Sequence, residues 1–73
     1  MHGGTMTKTL DVEGMTCKHC VMHVTKALKE VPGVTQVQVD LAGKKAVVEG
    51  TSLDDNAMKA AVADAGYEVV AIH

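Results

Sequence analysis

The chain contains no tryptophan and no phenylalanine, and its one aromatic ring belongs to Tyr67. It therefore lacks the stacking platforms on which single-stranded nucleic acids are held, and its interior must be built from Val, Leu, Ala and Met. Net charge is small as well. Seven basic and nine acidic residues give −2 at pH 7, without the clustered positive surface that counterion release from a polyanion requires. Nucleic acid is not an expected partner. No run approaches the roughly 18 apolar residues of a membrane span, and residues Met1 to Lys8 hold no apolar stretch of signal-peptide length. Membrane insertion is not expected, and a cytoplasmic location is. Two cysteines are too few for the disulfide framework of a small secreted domain, and a bond between Cys17 and Cys20 would close a very small loop, which favours a reducing compartment. Seventy-three residues allow one domain, residues 1–73, with an ordered core expected over about 7–72. Chains of this size bury only about 60% of the surface they expose when unfolded.

The apolar pattern gives six elements. Thr7 to Val12 reads as a strand, with Leu10 and Val12 on one face and Gly14 ending it. From His19 to Glu30, Val21, Val24, Leu28 and Val31 recur at helical spacing, with Cys20 and Ala27 on the edge of the same stripe, until Pro32-Gly33 stops the helix. Val34 to Leu41 alternates Val37, Val39 and Leu41 with polar residues. After a turn at Ala42-Gly43-Lys44, Ala46, Val48 and Gly50 share one face of a third strand, so an antiparallel hairpin is expected. Ser52 or Asp54 is suited to cap a second helix with Met58, Ala61, Val62 and Ala65 as its buried stripe. Gly66 is suited to end that helix in a left-handed conformation. Tyr67 to Ile72 closes the chain as a strand. The order βαββαβ is that of a ferredoxin-like α+β sandwich: a four-stranded antiparallel sheet with two helices on one face. That architecture serves many functions, so function must be sought in a site.

The only concentrated reactive chemistry is Gly14-Met15-Thr16-Cys17-Lys18-His19-Cys20. Both cysteines fall at a strand-to-helix junction, where amides without intrahelical partners and the helix dipole favour thiolates. Thiolates are soft ligands that prefer Cu(I), with zinc next. A Cys-x-x-Cys pair is shared by zinc sites, thiol oxidoreductases and copper carriers. A structural zinc site needs four ligands. This chain offers only His19 and His23 beside the cysteines, so zinc would have to be shared between two chains. A dithiol oxidoreductase is expected to carry the motif within a larger α/β domain. The third reading is a two-coordinate thiolate site near the surface, where an incoming thiolate adds to the unsaturated metal before the old one leaves.

Gly14-Met15-x-Cys17-x-x-Cys20, together with Val31-Pro32-Gly33-Val34 and Ala65-Gly66-Tyr67-Glu68-Val69, resembles the heavy-metal-associated domain family, and within it bacterial copper chaperones. The resemblance runs from Thr7 to Ile72. It implies Cu(I) held by Cys17 and Cys20 and delivered to the metal-binding domain of a copper-transporting P-type ATPase or to a copper-responsive transcriptional regulator. It also implies the option of a copper-bridged homodimer, and a metal carrier with no catalytic turnover. Met15 corresponds to a family methionine that packs under the metal loop, and Tyr67 falls where bacterial chaperones carry a tyrosine beside the metal. Family members with the same motif include mercury carriers and the N-terminal domains of the ATPases themselves, and both stay open as alternatives. Lys18 is expected to favour a thiolate electrostatically, subject to screening by salt. His19 is read as solvated, with ligation of an additional ion the alternative. His23, His2 and His73 are read as solvated. Lys18, Lys26, Lys29 and Lys59 place positive charge on the helices, which would speed docking to an acidic partner face.

Overall fold

The structure, a computed structural model, describes residues 5–73. Its elements are β1 (Met6–Glu13), α1 (Lys18–Lys29), β2 (Val34–Asp40), β3 (Lys45–Gly50), α2 (Asp55–Asp64) and β4 (Glu68–Ile72). The βαββαβ order and its ferredoxin-like sheet are as expected. The strands form one antiparallel sheet in the order β2-β3-β1-β4. His2 lies outside the described residues.

One face of the sheet is apolar because the strands alternate. Leu10 and Val12 of β1, Val37 of β2, and Ala46 and Val48 of β3 are buried, and they meet Val24 and Leu28 of α1 and Met58 and Val62 of α2. No polar or charged residue is buried among those described. At the rim of this face, Lys8, opposite Val48 in the register, places its ammonium 3.2 Å from Asp55. Asp55 stands in the first turn of α2, where the helix dipole favours negative charge.

Strict alternation fails at two places, and each is a bulge. In β2, Val34 pairs with Gly50 but Gln36 pairs with Glu49. Thr35 is therefore an extra residue, and its hydroxyl donates to the Glu49 carbonyl at 3.1 Å. In β4, Val69 pairs with Val12 but Ala71 pairs with Asp11. Val70 is the extra residue there, and it is 52% exposed. The bulges let Val34 with Val37, and Val69 with Ile72, three apart in sequence, pack against the same core.

Element ends follow from local chemistry. Of the two residues suited to cap α2, Asp54 does so, accepting from the Asn56 amide at 2.9 Å. Ser52 instead takes a positive φ of 55° in the preceding turn. At Gly50 a Cβ would collide with the Gly33 carbonyl, which fixes the loop after α1 against the end of β3. The same contact is closed by the Thr51 amide donating to the Gly33 carbonyl at 2.9 Å.

An aliphatic core without aromatic rings depends on each large side chain. Leu28→Ala and Met58→Ala, both at positions with no exposed surface, should each lower unfolding free energy by about 2–5 kcal/mol. Urea titration monitored by circular dichroism checks this. Val70→Ala, on the outer side of the β4 bulge, should change stability by no more than about 0.5 kcal/mol.

Candidate metal centre

Antiparallel pairing of β1 with β4 sets Glu13 opposite Glu68, so the loop leaving β1 and the residue before β4 are neighbours. Gly14 opens that loop with φ +98°, and a Cβ there would stand 3.3 Å from the Tyr67 ring. Both the backbone turn and the ring contact call for glycine. Met15 then dives into the core, 2% exposed, so the loop is anchored immediately before the thiols surface. Thr16, Cys17, Lys18 and His19 are exposed, and Cys20 is half-buried against the core.

Cys17 is the N-cap of α1, with extended backbone (φ −153°, ψ 171°) and no capping bond from its side chain. Its carbonyl accepts from the amides of Cys20 and Val21 at 3.1 and 3.3 Å. The helix thus begins at Lys18, one residue earlier than the apolar spacing indicates. This first turn brings the two free cysteine sulfurs to 3.2 Å, with no disulfide between them. Among the described residues no third His, Cys, Asp or Glu converges with them. His19, although between them in sequence, does not complete a three-donor site.

Tyr67 reaches the site through a helix-ending motif. The Gly66 amide donates to Ala63 at 3.0 Å and the Tyr67 amide to Val62 at 3.1 Å, while Gly66 takes φ +101°. This is the Schellman arrangement, in which the residue after the left-handed glycine packs back toward the helix. The ring of Tyr67 accordingly lies half-buried against the core. The Val62 carbonyl is a part of the site's support that motif reading passes over. Its signal in the sequence is the Gly66 stop followed directly by an aromatic residue.

The environment lowers the Cys20 pKa from 9.0 to about 6. The largest cause is the Tyr67 hydroxyl, placed to hydrogen-bond the Cys20 sulfur, followed by the Thr16 amide and the Cys17 thiol; partial burial opposes them. Lys18 is not among the causes, so hydrogen bonding rather than a neighbouring charge favours the thiolate. Reciprocally, the sulfur raises the pKa of Tyr67, which keeps its proton. Cys20 is therefore mostly a thiolate at neutral pH, the form that binds metal. The pair is an accessible, partly ionised, two-sulfur ligand for a soft metal.

An exposed dithiol on the β1–α1 loop of a ferredoxin-like sandwich defines a class of thiolate-bearing domain, and comparison with known proteins narrows it. The heavy-metal-associated domain pattern matches residues 9–68. The chain belongs to the heavy-metal-associated domain family. It is 53% identical over 66 residues to copper-transporting ATPase 2 of Rhizobium meliloti (strain 1021), covering 86% of this chain but only 8% of that protein. It is 45% identical over 65 residues to the periplasmic component of mercuric transport of Pseudomonas aeruginosa, covering 86% of this chain and 71% of that one. Among solved structures, a CopZ metallochaperone superposes with a TM-score of 0.84 at 37% identity, covering 89% of this chain and all of the other. No helix among the described residues is long and apolar enough to cross a membrane.

Thiolate absorbance near 240 nm, followed from pH 4 to 10, should show one thiol titrating at about 6. Because the folded pKa is depressed, the thiolate is present above that value and lost as pH falls through it. Tyr67→Phe should move this titration upward; an unchanged midpoint would remove Tyr67 from the account. Gly14→Ala, forced into a left-handed backbone against the ring, should cost about 1–3 kcal/mol of stability, measured by urea denaturation.

Proposed function

We propose that the chain is a copper metallochaperone, a carrier rather than an enzyme, whose cargo is Cu(I) bound by Cys17 and Cys20. The observation that carries this reading is the 3.2 Å approach of two sulfurs at an exposed helix start, with no third donor converging among the described residues. Two thiolates satisfy a soft monovalent ion. They leave a divalent zinc, which prefers four ligands, undercoordinated.

Open coordination also supplies the mechanism. A thiolate of the acceptor adds to the Cu(I), giving a transient three-sulfur centre. One of the original cysteines then dissociates, and a second acceptor thiolate displaces the other. Each Cu–S bond formed is balanced by one broken. Each acceptor cysteine gives up its proton before it binds as a thiolate, and each freed cysteine can take one up. No electron moves. Cys17, the more exposed residue of the two, is the natural first leaving group, while Cys20, held against the core and favoured as a thiolate by Tyr67, retains the ion until the second exchange. Met15 holds the loop from beneath, Gly14 permits its turn, and Thr16 offers its amide to Cys20; Lys18 and His19 lie between the two cysteines at the surface.

The acceptor we propose is the metal-binding domain of a copper-transporting P-type ATPase. The similarity to copper-transporting ATPases supports it, because domains of one fold can present matching loops to each other. A copper-responsive transcriptional regulator is a further acceptor, and a copper-bridged homodimer a further loaded state. Since the chain spans less than a tenth of the first of these ATPases, a role as a domain of such a pump is the second reading. A mercury carrier is the third, supported by the likeness to the mercuric transport component over most of its length. The reading places the protein in the cytoplasm, where the pair stays reduced.

Anaerobic titration of the reduced protein with Cu(I) against a competing chelator should give one ion per monomer, with zinc held far more weakly. Cys17→Ser and Cys20→Ser should each abolish the two-coordinate complex. Retention of Cu(I) in either variant, or tight zinc with weak copper, would overturn the proposal. Transfer of bound copper to an isolated ATPase domain, followed by gel filtration and metal analysis, distinguishes a chaperone from a storage protein.

A further inference from the structure

The thiols are not the only free donors on α1. His19 and His23 stand four residues apart within this helix, and both are exposed. Side chains at that spacing lie one above the other, with Cβ atoms about 5–6 Å apart. Neither ring takes part in a side-chain hydrogen bond or ion pair among the described residues, whereas the third described histidine, His73, is held by Asp11 at 3.0 Å. Bringing the two rings together therefore breaks no side-chain hydrogen bond or ion pair among the described residues.

Two imidazoles one turn apart on a single helix face are the spacing by which helices chelate divalent zinc. We propose that His19 and His23 form a second metal site, a bidentate clamp for a divalent cation of the zinc class, separate from the thiolate pair in both residues and donor chemistry. Nitrogen donors of this kind suit Zn(II), Ni(II) and Cu(II), whereas the sulfur pair suits Cu(I). This goes beyond the copper reading and does not depend on it. No third His, Cys, Asp or Glu converges on the rings among the described residues, so water completes the coordination and the ion exchanges readily. His23 borders the groove between α1 and α2, whose rim carries Lys26 as well as Glu30 and Asp64. The lysines at 18 and 26 oppose a cation and the carboxylates favour it, which sets a site of moderate strength rather than a structural one.

The test uses the full chain carrying Cys17→Ser, Cys20→Ser and His2→Ala, which removes the competing donors. Serine is a favoured N-cap residue, so position 17 tolerates the change. Zn(II) alone is the probe, followed by calorimetry and by NMR of the histidine rings. The expected result is saturable one-to-one binding, with ring signals of His19 and His23 shifting together and that of His73 unmoved. His19→Ala and His23→Ala should each weaken binding by more than about tenfold, with the helical circular dichroism unchanged; His23→Gln, also exposed, repeats the test without altering side-chain length as severely. Absence of saturable binding, an equal response at His73, or indifference to His23→Ala would overturn the site. With both cysteines restored, His23→Ala should leave Cu(I) stoichiometry at one. Loss of the histidine site and loss of the copper reading are thereby separate results.

Discussion

The ladder between β1 and β4 is the constraint on which the rest depends. These strands are far apart in sequence, yet their pairing sets the end of one beside the beginning of the other. Gly14 and Tyr67 become neighbours, the thiols emerge next to a phenol, and the ionisation of Cys20 follows from that contact. The remaining elements serve to hold this ladder. β3 flanks β1 on its other side, and the two helices cover the common apolar face.

Rigidity and accessibility are divided along a few residues of one loop. Met15 is locked in the core while Cys17 lies open to solvent, so the change from packed interior to exchangeable ligand happens within a single turn of chain. Burial of Met15 offsets the entropy of ordering the loop before any metal arrives, as aliphatic burial generally offsets chain ordering. A deeper site would hold an ion more tightly but would close it to an incoming thiolate. A looser one would have to order its sulfurs at each binding event.

Most of the architecture was legible in the sequence because its signals are local. Pro32-Gly33 and Gly66 mark helix ends, Asp54 marks a start, and alternation in Val37, Val39, Ala46 and Val48 marks the inward face. The bulges at Thr35 and Val70 were not legible. A run such as Glu68 to Ile72 is apolar enough to suit either register, and only its partner β1 selects the one that turns Val69 and Ile72 inward. The cysteine pair was visible as a motif, but the reason Cys20 ionises was not: Lys18 is two positions away in sequence, whereas the largest influence comes from the Tyr67 hydroxyl, 47 positions beyond Cys20 by residue number. His73 likewise reads as a solvated terminal residue, and its link to Asp11 exists only once β4 has paired. Long-range pairing, in short, decides what local pattern leaves open.

The two bulges also sit on the two outermost strands, β2 and β4. A sheet border is a row of unpaired amides and carbonyls onto which another chain can add in register, and an interrupted row offers no uniform template. Thr35 and Val70 each break that row, so a protein whose sheet is open at both sides is guarded at each against growing into a polymer of itself.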